Sequence, residues 1–296
     1  MQTSLRPAID PDRVQQLFER RTTDSFVSHE IGERMAERLD LVRIEPKVVL
    51  DAGQGRKEDR DLLRSRYGDA LLVTAQVGRT NTWEGERQAS FKQVLRRAMG
   101  TAGRVSRLAS RAAQLPLLST STDMVWSNGL LEWVEDADAV IAEWSRVLKP
   151  GGLLMFATLG PDTLDQVRQA FADVDQNHHT IAFTDLHDYG DMLASHGFVT
   201  PVMDMERLNL TFSEAGDFWR DVQSLGGNPL AGRRRGLMGR AASARLQDAL
   251  ESLRDENGRL TLTFEIIYGH AWKGEKQRRL DGLPVVSLPA TKKSPG

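Results

Sequence analysis

The chain contains no cysteine. Disulfides, thiolate nucleophiles and cysteine-based zinc sites are therefore excluded, and the composition fits a reducing compartment. No apolar run approaches the about 18 residues of a membrane-spanning helix. The N-terminus "MQTSLRPAIDPDRVQQLFERR" has no signal-like apolar core and carries early acids. A cytoplasmic chain that avoids membranes is the expectation. Large net charge is missing too: 39 Lys and Arg stand against 41 Asp and Glu, giving −2. Without a global basic field, nucleic acid is a poor partner. Aromatics make up only 6% of the chain and do not interleave with the basic residues as single-strand readers require.

What is present is an ordinary globular composition, 40% hydrophobic and 27% charged over 296 residues, enough for one large domain or a domain with a lobe. Residues 11–40 read as helical. "KVVLDAG" reads as a short buried strand, "DRDLLRSRYGD" as a helix stopped near Gly68, and "ALLVTAQVG" as a second strand. Residues 88–112 carry Phe91, Leu95, Ala98, Ala102, Val105, Ala109 and Ala112 at spacings of four and three, which predicts a basic helix or helix pair. "TDMVWSN" is another strand. "DADAVIAEWSRVLKPGG" reads as a helix with a Pro-Gly-Gly stop, "LLMFATLG" as a strand, and residues 161–174 as a helix. "FTDLHDYGDMLASHGF" predicts a helix with Thr184 as N-cap and Gly197 past its end. "VTPVMDMERLNLTF" and "GRLTLTFEIIYGHAWK" alternate apolar and polar residues, as late antiparallel strands do, with a helical segment between them. Strands alternating with helices indicate an α/β fold with a doubly wound, mostly parallel sheet.

In such sheets a ligand sits beyond the carboxyl ends of the strands, where the strand order reverses. The first strand ends in "DAGQG". Gly53 and Gly55 let its backbone turn tightly and approach a ligand without a Cβ in the way, after the acid Asp51. Asn128 closes the fourth strand, placed to bind ligand or fix the loop. A strand-turn-helix needing glycine for geometry would look the same.

"SNGLLEWVEDADAVIAEWSRVLKPGGLLMFATLGPDTL" resembles the second half of class I S-adenosylmethionine-dependent methyltransferases. "FTDLHDYGDMLASHGFVTPVMDMERLNLTF" and "LTFEIIYGHAWK" are similar to the BioC-type malonyl-[acyl-carrier-protein] O-methyltransferases of biotin synthesis, in their long bacterial form. A more distant likeness is to the methyltransferase-like assembly factors of respiratory complex I. The resemblance spans residues 11–273 and is densest from 123 onward. It implies a Rossmann-like, seven-stranded sheet with an inserted helical lobe. The implied division is residues 1–45 as an N-terminal helical lid, 46–212 and 258–273 as the methyltransferase domain, 213–257 as a helical insertion and 274–296 as a flexible tail.

The resemblance also implies S-adenosylmethionine as cofactor, held by Asp51, Gly53, Gly55, Gln76, Arg111 and Asn128. Against the family's D-x-G-C-G-T-G loop, this chain has Gln54 for Cys, Arg56 for Thr and Lys57 for the third Gly. Gln76 stands where the family has a ribose-gripping acid, and Arg111 where it has an acid near the adenine amino group. Replacing a charged acceptor by Gln76 costs roughly 1–3 kcal/mol. A cation about 6 Å from a sulfonium costs roughly 3 kcal/mol at an effective dielectric near 20.

Methyl transfer to a carboxylate needs no general base, because the nucleophile is already ionised at neutral pH. It needs alignment and exclusion of water. Trp133 is a candidate aromatic wall for the sulfonium, or core packing. Tyr268 and His270, two apart in a strand and so on one face, are candidates for the substrate mouth; a structural, hydrogen-bonded histidine is the plainer alternative. His178 and His179 are adjacent, without metal-ligand spacing, so no metal is expected. From Arg87 through Thr122 there is no Asp or Glu, against seven Lys or Arg. With Arg233, Arg234, Arg235 and Arg240 these make either a solvated surface or a dock for acyl carrier protein or another acidic protein. Two functions compete: a methyltransferase acting on a malonyl thioester, and a non-catalytic relative that binds protein through the basic face. A different reaction on the same scaffold, such as hydroxylation, is third.

Overall fold

The computed structural model describes residues 7–20, 26–54, 56–77, 105–234 and 236–275, with the backbone path alone at 18–20, 76, 77 and 105–110. Gly55, Arg235, the whole basic segment 87–104 and the tail from 276 lie outside the described residues.

Two helices precede the sheet, α1 (Pro11–Arg20) and α2 (Phe26–Leu39). Then come β1 (Val48–Asp51), α3 (Lys57–Arg66), β2 (Leu71–Val77), β3 (Val105–Ser110) and β4 (Thr122–Asn128). The chain continues through α4 (Ala137–Val147), β5 (Leu148–Leu159), α5 (Asp165–Phe171), α6 (Leu186–Ser195) and β6 (Phe198–Phe212). It ends with α7 (Ala215–Ser224), α8 (Arg240–Glu251) and β7 (Leu260–Lys273). The seven strands form one sheet in the order β3-β2-β1-β4-β5-β7-β6. All neighbours are parallel except β7, which runs antiparallel to both β5 and β6. The doubly wound, mostly parallel sheet and the late antiparallel strands are as the sequence pattern indicates. No described helix is long and apolar enough to cross a membrane.

Consecutive strand residues face opposite sides, so the unbroken apolar runs of β1, β4 and β5 feed two cores at once. Leu50, Val125, Leu154 and Phe156 pack with Ile141 and Trp144 of α4 and Tyr189 and Leu193 of α6. Val49, Met124, Trp126 and Met155 pack on the other face with Ile31 and Met35 of α2, Leu63 of α3, Phe218 of α7 and Leu250 of α8. Phe218 and Leu250 are fully buried, so the helices between β6 and β7 share the sheet's core.

Three local expectations are corrected. The basic helix expected over 88–112 is a strand at 105–110, paired from Val105↔Leu72 to Ser110↔Val77. Apolar spacing there suits either state, and pairing satisfies an edge of β2 that a helix would leave open. Helix α4 ends at Val147, just before "LKPGG", but that segment is already the first part of β5 rather than a separate stop ahead of it. Its pairing jumps from Thr122↔Leu148 to Met124↔Leu153, so Lys149–Gly152 bulge out, with Gly151 at φ 76°. The N-cap of α6 is Asp185, not Thr184: its carboxylate accepts from His187 N at 2.8 Å.

Candidate active site

The parallel strands end on one edge of the sheet, and the order reverses between β1 and β4, which is where a doubly wound sheet opens a crevice. Two loops line it, one after Asp51 and one after Asn128. They are stitched closely. Ala52 N donates to Trp126 O at 2.8 Å, and Ser127 Oγ donates to Ala52 O at 3.3 Å. A Cβ on Gly53 would meet Asn128 N at 2.8 Å, so only glycine lets the loop lie this close to β4. The Gln54 side-chain amide crosses the crevice and donates to Gly129 O.

Beneath the loops lies a buried polar cluster. Asp51 and Asp59 are 0% and 3% exposed. Asp51 Oδ1 accepts from Gly53 N at 3.2 Å, and Asp59 Oδ1 accepts from Asn128 Nδ2 at 3.0 Å. Burial first, and then the negative charge of Asp59, push the Asp51 carboxyl up to about 7. Burial likewise raises Asp59, against the hydrogen bond from Asn128 and the charge of Arg56. Asn128 Nδ2 also donates to Ser28 O of α2 at 3.2 Å, so Asn128 fixes structure in this crevice. Helix α2 fits over the pair because position 32 is glycine: a Cβ there would meet Asp59 Oδ1 at 3.0 Å and Asn128 Nδ2 at 3.2 Å.

Asp51, Gly53 and Asn128 are thus brought together at the strand ends. Gln76 pairs with Ala109 two residues past the Thr74↔Asp51 level, placing its backbone beyond that same edge. Arg111 follows the end of β3, is exposed, and bridges to Gln114. Lys57 turns away to an ion pair with Asp61, its side chain 75% exposed, so its charge is largely answered by solvent and that acid. The cation inside the loop is instead Arg56, 5% exposed and 3.6 Å from Glu58.

Trp133 is buried under α1 with Val14 and Leu17. Helix α1 is tied in turn to the loop before α8: Asp10 N donates to Pro229 O and Ala231 N to Ala8 O, each at 2.9 Å. Tyr268 belongs to the core beneath α2, apart from Trp133. Its hydroxyl donates to Glu206 Oε1 at 2.5 Å, and the Arg38 guanidinium lies 3.7 Å from its ring centroid. Burial and the Glu206 carboxylate raise the Tyr268 phenol far above its ordinary range, so it stays protonated. His270, two residues further along β7, is half-buried, and burial lowers its pKa. Of the basic face, Arg233 pairs with Asp10 at 3.3 Å and Arg234 with Asp175 at 3.2 Å, while Arg240 is exposed at the start of α8.

Sequence reasoning passed over Asp59, Ser28 and Gly32. Asp59 shares a helix face with buried Leu63 four residues on, and an acid on an apolar stripe was the available signal. Nothing local marks Ser28 or Gly32.

A family model for a methyltransferase domain matches residues 50–156, from the end of β1 into β5. The fold resembles that of the YcgJ protein from Bacillus subtilis, with a TM-score of 0.52 at 16% identity over 83% of this chain and 99% of that one. The fold is that of the class I methyltransferases. The malonyl-[acyl-carrier protein] O-methyltransferase of Laribacter hongkongensis is 44% identical over 287 residues, covering 92% of this chain and 93% of that protein. Its counterpart in Gallionella capsiferriformans is 40% identical over 283 residues, covering 94% and 96%. This chain belongs to the malonyl-[acyl-carrier protein] O-methyltransferase family.

Proposed function

We propose that this protein is an S-adenosylmethionine-dependent methyltransferase that esterifies the free carboxylate of a malonyl thioester on acyl carrier protein, as in biotin synthesis. The observation that carries the reading is the 44% identity to a malonyl-[acyl-carrier protein] O-methyltransferase across nearly the whole of both chains. The crevice supports it. Gly53 brings the β1 loop flush to β4, and a pair of buried carboxylates lies beneath the strand ends. That donor set suits a cationic cofactor, which would be held by Asp51, Gly53 and Asn128 with Gln76 at the neighbouring strand end.

When bound, the cofactor supplies an electrophilic methyl group on a sulfonium. The acceptor carboxylate is already ionised at neutral pH and would need no proton removed by the protein. The chain therefore has no general base to provide. Its tasks are to align the acceptor, exclude water and oppose positive charge. Asp51, when ionised, meets the last of these, and α2, seated on Asp59 and Asn128 through Gly32, closes one side of the crevice. The carrier protein docks on exposed basic residues, among which Arg240 opens α8.

The test is incubation of the full chain with methyl-labelled cofactor and malonyl-carrier protein, read by intact mass. A base-labile methyl ester on the carrier-bound malonyl group is expected. Cofactor binding without any ester would overturn the reading in favour of a non-catalytic, protein-binding relative.

A further inference from the structure

Gln54 sits between the two glycines of the β1 loop, where the family's loop has cysteine. A cysteine side chain ends at its sulfur and has only a weak donor, whereas a glutamine amide reaches two bonds further with two N–H groups. Here the reach is used. The amide spans from the β1 loop to the turn after β4 and donates to Gly129 O. Gly129 stands at φ 69°, a backbone state that glycine adopts without steric cost. A Cβ there would lie 2.6 Å from Gln54 Nε2 on one side and 3.2 Å from Glu132 Oε1 on the other. Glu132 is itself fixed, accepting from Thr158 Oγ1 of β5 at 2.9 Å. Gly129 N completes the hold by donating to Ala157 O at 3.0 Å. The post-β4 turn is therefore anchored to β5 along one flank, and the Gln54 amide ties the β1 loop to the other.

The geometry points to Gln54 as a positioning residue that latches the two crevice loops together and so sets the spacing of the cofactor site. The inference rests on the crevice being that site. It has a reason in this chain: Lys57 occupies the position of the motif's third glycine, as the first residue of α3, and Gln54 supplies from outside the loop's backbone a constraint on where the loop lies. Such a contact pre-orders the free protein, and pre-ordering acts on ligand affinity rather than on the chemical step.

The experiment compares wild type with Gln54→Met, which keeps the length and loses the donor, and with Gln54→Ala. Cofactor Kd is read by calorimetry, KM and kcat by methyl-ester formation. Both variants should bind S-adenosylmethionine about five- to tenfold more weakly, the loss of one neutral hydrogen bond. They should bind its demethylated thioether product more weakly by the same factor, since the latch sets spacing and not charge. KM for the cofactor should rise in step while kcat at saturation holds, with melting within about 2 °C of wild type. Gly129→Ala, strained at φ 69° whatever stands at position 54, should cost less cofactor affinity in Gln54→Ala than in the wild-type background, the difference being the share lost through the amide. Unchanged or tighter cofactor binding in both Gln54 variants, or a fall in melting temperature with Kd unmoved, would overturn the latch. Absence of binding by wild type itself would overturn the cofactor site and the latch with it, a result distinguishable at the first titration.

Discussion

Replacing Asp51 by asparagine should make the protein more stable at neutral pH, and the gain should vanish in acid. Asp51 is fully buried, and its carboxyl titrates at about 7 in the fold against 3.8 in the open chain. Between those two values the folded state keeps a proton that the unfolded state releases. Stability from this group is therefore whole below about pH 4, falls as pH rises toward 7, and is level above that. The difference of about three units sets a ceiling of about 4 kcal/mol. The charges facing Asp51 are Asp59, which raises it, and Arg60, which opposes. The amide introduced by Asp51→Asn would keep an oxygen for Gly53 N and never ionise. Glu143 and Asp175, whose carboxyls are held low against their burial by arginine and histidine partners, contribute equally to both proteins and cancel in the difference. Urea unfolding of wild type and Asp51→Asn at pH 4.5, 6, 7 and 8, followed by tryptophan fluorescence, measures it. The variant's advantage should grow from near zero to ~1–4 kcal/mol between about pH 4 and 7 and then stay constant. The same substitution should weaken binding of the sulfonium cofactor more than of its neutral thioether product. A stability difference independent of pH, or one that favours wild type as pH rises, would refute the reasoning.

Two further outcomes follow from the same cluster and its neighbours. Gly32→Ala should destabilise by ~1–3 kcal/mol in chemical denaturation, because its methyl would sit 3.0 Å from Asp59 Oδ1 and α2 would have to lift. Gln76→Asp should tighten cofactor binding about tenfold through charge-assisted hydrogen bonds, and adding Lys57→Gly should change little, since Lys57 is exposed and paired with Asp61; a gain carried mainly by Lys57→Gly would reverse that assignment.

Much of the architecture was legible because it rests on local rules. The four-residue run of β1 and the period-2 alternation of β6 and β7 each specify a strand, and Asp136 caps α4 by accepting from Ala139 N at 2.9 Å. Where two local readings are equally good, tertiary pairing decides. Val105, Leu108 and Ala109 fall at helical spacing, yet β2 needs a partner and takes residues 105–110 as a strand. Asp51 and Gly53 at the strand end of the crevice were legible as part of a motif. The cluster that supports them was not, because Ser28, Gly32, Asp59 and Asn128 converge across as much as 100 residues of chain. Tyr268 was visible as a polar aromatic in a strand, but its tie to Glu206 and Arg38 depends on β6 and α2 packing to either side.

The central claim is that the loops after β1 and β4 form a working site for a sulfonium cofactor, despite the cations and the two glutamines, Gln54 and Gln76, that stand in its motifs. Calorimetric titration of the full chain with S-adenosylmethionine tests it most directly. Binding in the micromolar range, weakened by Asp51→Asn, is the result predicted; no heat of binding up to millimolar ligand would contradict it.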